Sequence, residues 1–134
     1  NQAFKAYSLA PNDPDVQRSV LRLKSADFNQ SSKEEVQTVE SAADRICRPP
    51  MGTAQRTQCA LTRGWIAESK KKPKAAQKAY ESVFRTFKNP RPLAQFYART
   101  GQCVSIRKLS ATLKAEDSAN KTALENIYKK CAAN

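Results

Sequence analysis

The chain has 134 residues, enough for one domain with its own hydrophobic core. It is 40% hydrophobic, with 7 Pro and only 3 Gly, and Ala, Lys, Leu and Gln are frequent, which favours helices over the turn-rich alternation of sandwiches and barrels. A net charge of +12 without a single histidine disfavours imidazole catalysis and mixed Cys/His metal sites, and no apolar run approaches the roughly 18 residues needed to cross a bilayer.

The expected fold class is all-α: a single compact bundle of five or six helices over residues 1–134. Residues 1–12 show no periodicity and read as an extended arm with Phe4 and Tyr7 as weak anchors. This start lacks the apolar centre of a signal peptide, so an exported form is expected to have shed its leader. Asp13 then reads as an N-cap with Pro14 at the first helical position, and Val16, Val20 and Leu23 form the stripe of a first helix reaching about Phe28. Ser32-Lys33-Glu34-Glu35 is a capping box, followed by an apolar stripe of Val36, Val39, Ala43 and Ile46. Arg48-Pro49-Pro50 ends that second helix.

Thr53 is placed to cap a third helix carrying Cys59, Leu61, Trp65 and Ile66, with Gly64 inside it. Lys70, Lys71 and Lys72 fall where this helix should finish, a favourable place for cations near unpaired carbonyls, and Pro73 opens the fourth. The fourth is the clearest signal: Ala76, Tyr80, Val83, Phe84 and Phe87 share one face. Lys74, Lys78, Arg85 and Lys88 fall within about ±40° of one another opposite it, interrupted by Glu81. Asn89-Pro90-Arg91-Pro92 breaks this helix. A fifth carries Leu93, Phe96 and Tyr97, with Gly101 either just past its end or inside it before Cys103 and Val104. The last places Leu124, Ile127, Tyr128 and Cys131 on one stripe.

Cys47, Cys59, Cys103 and Cys131 are an even set without CxxC spacing, the pattern of two structural disulfides in an oxidising compartment, and secretion is the expected localisation. Four cysteines allow three pairings. Cys47 with Cys59 and Cys103 with Cys131 is preferred, because the first bridge would clamp the Pro49-Pro50 connection and the second would pin the C-terminal helix to the fifth. Asn29-Gln30-Ser31 and Asn120-Lys121-Thr122 match the N-glycosylation acceptor pattern at Asn29 and Asn120.

Charge is unevenly distributed. Residues 1–46 hold six basic and seven acidic side chains, whereas residues 47–114 hold fifteen basic against only Glu68 and Glu81. Such an excess repels itself in the compact state unless an anionic partner offsets it. Lys70, Lys71, Lys72, Lys74, Lys78, Arg85, Lys88 and Arg91 are therefore the expected binding face. No catalytic residue, cofactor or metal is expected: there is no imidazole base, no glycine-rich phosphate loop and no calcium loop, and the carboxylates of Glu34 and Glu35 are accounted for by capping a helix start. An RNP motif, zinc finger and basic-region zipper are all missing, so no dedicated nucleic-acid binding is expected.

In mature length, helical pattern, basicity and its four spaced cysteines, Cys47, Cys59, Cys103 and Cys131, the whole chain resembles the anophensin, hamadarin and albicin family of anopheline mosquito salivary proteins. The resemblance implies a blood-feeding protein that binds a host plasma protein or complex. The targets it implies are contact activation through the kallikrein-kinin system or the convertase of the alternative complement pathway. Two other readings of the residues remain: a bacterial periplasmic or envelope helical adaptor, and a general binder of polyanions such as heparin.

Overall fold

The computed structural model describes residues 13–26 and 32–134. The expected N-terminal arm, the end of the first helix at Phe28 and the Asn29 sequon lie outside the described residues, as does the side chain of Leu23. The described residues form seven helices: α1 (Pro14–Ala26), α2 (Lys33–Ile46), α3 (Thr53–Ser69), α4 (Pro73–Phe87), α5 (Arg91–Arg99), α6 (Cys103–Ala111) and α7 (Ser118–Ala133). None is long and apolar enough to cross a membrane.

Helix ends follow local chemistry. The backbone N–H of Asp15 donates to Asp13 Oδ1 at 2.9 Å, satisfying an amide that the first turn of α1 leaves open. Ser32 caps α2: its Oγ accepts from the Glu35 N–H at 3.2 Å, while Glu35 Oε1 accepts from the Ser32 N–H. Thr53 does not cap α3. It is already helical, and the extended residue that begins the helix is Gly52, which has no side chain to offer.

The count of seven corrects the expected five or six, and Gly101 is the reason. At φ +73° it occupies the left-handed region, which ends α5 and lets a separate helix begin at Cys103. The Gly101 N–H donates to Ala98 O at 3.2 Å and the Gln102 N–H to Tyr97 O at 2.7 Å, so the carbonyls left over at the end of α5 are satisfied.

The chain divides into two compact units, Asn1–Ala79 and Tyr80–Asn134, with the division falling inside α4. In the first unit α1, α2 and α3 pack pairwise around Val20, Leu21, Val39, Ala42, Trp65 and Ile66. Gln55 Nε2 donates to Ile46 O at 2.6 Å, closing the C-terminal end of α2, and Gln58 Nε2 donates to Leu21 O at 3.2 Å. The partners lie nine and 37 residues away in sequence, on other helices, so these glutamines tie α3 to α2 and α1. Cys47 is bonded to Cys59 with Cα atoms 5.9 Å apart, bridging the Pro49-Pro50 connection.

In the second unit α5, α6 and α7 pack pairwise, with Phe96, Ile106 and Leu124 among its most deeply buried side chains. Tyr80 lies against Phe96 with ring centroids 5.5 Å apart. Cys103 is bonded to Cys131 with Cα atoms 5.7 Å apart, which fastens α7 to the start of α6 rather than to the fifth helix. Outside that bridge the Arg107 guanidinium sits 4.1 Å from the centroid of the Tyr128 ring.

Candidate cationic binding surface

The three lysines after α3 form a tight corner. The Lys71 N–H donates to Glu68 O at 3.0 Å and the Lys72 N–H to Ala67 O at 2.9 Å, the paired bonds of a Schellman ending. That geometry puts Lys71 at φ +61°. The corner is built on the same hydrogen-bond plan as the end of α5, where the equivalent residue is Gly101. Glycine adopts this conformation at no steric cost, whereas a residue with a Cβ is disfavoured there by roughly 1–2 kcal/mol. A lysine therefore occupies a position at which glycine would be the more stable choice.

Lys72 then starts the next helix, its carbonyl accepting from the Ala76 N–H at 3.1 Å. The first turn of α4 contains no acidic residue and does contain Lys74, although the positive end of the helix dipole favours the opposite sign. Lys71, Lys72, Lys74 and Lys78 are all exposed. No ion pair engages any of the four among the described residues.

Lys70 differs from its neighbours. Its ammonium pairs with the Glu40 carboxylate, joining the end of α3 to α2 across 30 residues of sequence. Lys70 and Lys72 line a shallow groove of about 360 Å³ in the first unit together with Glu40, Asp44 and Arg63. Two carboxylates face three cations in the groove, and among the described residues only Lys70 of these cations is paired, so the unpaired lysines of the corner are Lys72 at its edge and Lys71, Lys74 and Lys78 outside it. Arg63 was not among the expected face residues. Its spacing of seven from Lys70, two helical turns, was the available signal.

The remaining expected residues fall in the second unit. Arg85 is exposed on α4 and lines a groove formed with α5 and α6. Lys88 does not continue the α4 stripe: the helix ends at Phe87, and Lys88 turns away at φ +55° ahead of Asn89-Pro90. Arg91 opens α5, and its Nε donates to Asn120 Oδ1 at 3.1 Å. Asn120 lies in the first turn of α7, half-buried, with its Nδ2 donating to Asp117 Oδ2 at 3.0 Å.

The expected face thus separates into Lys70, Lys71, Lys72, Lys74 and Lys78 on the first unit and Arg85, Lys88 and Arg91 on the second. By sequence, the first unit carries fourteen basic and eight acidic residues and the second ten and four. No protein-family model, curated protein or solved structure matches the chain.

Proposed function

We propose that the chain is a secreted, non-catalytic binding protein. Its α3–α4 corner, with Lys71, Lys72, Lys74 and Lys78, docks on an acidic surface of a host plasma protein complex and inhibits that cascade. The observation that carries this reading is Lys71 at φ +61° where the matching corner of α5 has glycine. Backbone strain of this kind clusters at functional sites, and here the strained residue is a cation with three other lysines within three positions of it. The resemblance supplies the target class, either the alternative complement convertase or kallikrein-kinin contact activation. Two disulfides suit a scaffold that must hold its shape outside the cell, and pre-organisation lowers the entropy lost on docking.

The test is a charge-reversal triple, Lys71→Glu, Lys74→Glu and Lys78→Glu, compared with a charge-matched control on α7, Lys121→Glu, Lys129→Glu and Lys130→Glu. Inhibition of complement lysis and of plasma kallikrein generation is measured, with association kinetics as a function of salt. The corner variant is expected to associate about tenfold more slowly or worse, with a flattened salt dependence, while the control stays close to the parent. Equal losses would mean that net charge alone matters. Loss of heparin retention with no plasma effect in the parent would favour the general polyanion binder.

A further inference from the structure

The second unit contains a groove of about 460 Å³ between α4, α5 and α6, within the size range of small-ligand sites. Its apolar lining comes from Phe84 and Tyr97, both half-buried, and from buried Leu93 and Leu109. Arg85 and Lys108 stand at its rim, both exposed. They stand 23 residues apart in sequence, on α4 and α6, and neither makes an ion pair among the described residues. Glu81 is the one carboxylate in the lining, so the groove has an excess of one positive charge over an apolar bed. This site lies apart from the α3–α4 corner in sequence and does not depend on the function proposed for it.

We propose that this groove binds an amphiphilic carboxylate, a medium-chain fatty acid in its simplest form. The chain lies along Phe84, Leu93 and Leu109, and the carboxylate sits between Arg85 and Lys108. Charge complementarity sets the sign of the ligand, and the apolar bed sets its class: a small inorganic anion would leave that bed uncovered. Arg85 offers a planar fork of donors and Lys108 a second point of positive charge. The Tyr97 phenol lines the same groove and, protonated at neutral pH like any phenol, can donate to a bound carboxylate; burial, then the Glu81 carboxylate, raise its pKa above the ordinary 10.0. Glu81 opposes a bound carboxylate by like charge, which gives the proposal a signature that a merely sticky surface would not share.

The experiment is isothermal titration of the full oxidised chain with dodecanoate, decanoate, octanoate and dodecylamine, with amide NMR shifts to locate the site. Dodecanoate is expected to bind saturably and perturb residues of the second half of α4, α5 and α6. Each loss of two methylenes should weaken binding by up to about tenfold. The pair Arg85→Glu and Lys108→Glu should weaken dodecanoate at least tenfold, and Glu81→Gln should tighten it a few-fold. Both rim cations are exposed, and circular dichroism checks that the variants are folded. Absence of saturable binding, tighter binding of dodecylamine, equal affinity for octanoate and dodecanoate, or weakening by Glu81→Gln would each overturn the proposal.

Discussion

Replacing Lys71 by glycine should stabilise the protein while removing one cation from the proposed binding surface. At φ +61° the lysine Cβ is disfavoured by roughly 1–2 kcal/mol, and glycine removes that penalty. The unfolded chain gains freedom from glycine, which offsets about 0.5–1 kcal/mol. The net gain is about 0.5–1 kcal/mol. With an unfolding entropy near 2.1 cal/mol/K per residue, that is a rise in Tm of about 2–4 °C for 134 residues unfolding together. Gly101→Ala is the mirror experiment. A Cβ at Gly101 meets nothing within 4 Å, so only the backbone at φ +73° resists it, and stability should fall by about 0.5–1 kcal/mol. Lys71→Ala separates the two components of the first variant, because it removes the charge and keeps the Cβ. Calorimetry and urea unfolding on all three variants measure the effect. A stabilisation by Lys71→Ala equal to that by Lys71→Gly would assign the gain to relieved charge repulsion and refute the backbone account.

Removing the bridges should cost stability that rises slowly, as the logarithm, with the length of the loop each closes. In the chain-entropy relation Cys47→Ala with Cys59→Ala loses about 3 kcal/mol for a separation of 12 residues, and Cys103→Ala with Cys131→Ala about 3.5 kcal/mol for 28, measured by denaturant midpoint. Ser32→Ala breaks the capping box of α2 and should destabilise by about 1 kcal/mol, with Glu35→Ala adding little once Ser32 is gone. The raised Tyr97 pKa means that the folded state favours the protonated phenol. Its contribution to stability is fully present below the unfolded value of 10.0 and is lost as the pH rises through the folded value. Glu81→Gln should bring the phenolate absorbance titration of Tyr97 back toward its ordinary value, but not fully, because burial is the larger cause.

Much of the fold was legible because helix boundaries and faces are written in neighbouring residues. Pro14, Ser32 with Glu35, and Pro73 act within one turn of their own helix ends, and each boundary falls where that chemistry places it. The apolar stripes of α2 and α4 likewise need only the 3.6-residue period. Gly101 was ambiguous for the same reason. A glycine is compatible with either a helix interior or its end, and the choice depends on whether packing needs a turn there. Thr53 is not the cap because the chain enters the helix one residue earlier: Gly52 is the last extended residue and Thr53 is already helical, a choice of backbone direction that the local residue types leave open.

The sequence by itself determined the helical class, most helix boundaries, the candidate cations and the set of cysteines available for bridging, all of which are local or compositional properties. Tertiary structure decided which of three pairings the cysteines adopt, that Lys70 pairs with Glu40, that Lys71 and Lys88 stand in left-handed turns, and that Arg85 and Lys108 line one groove. The physical reason is the range over which each is set. A helix is closed by bonds between residues four apart, whereas a partner 30 residues away is chosen only when packed cores bring two helices together.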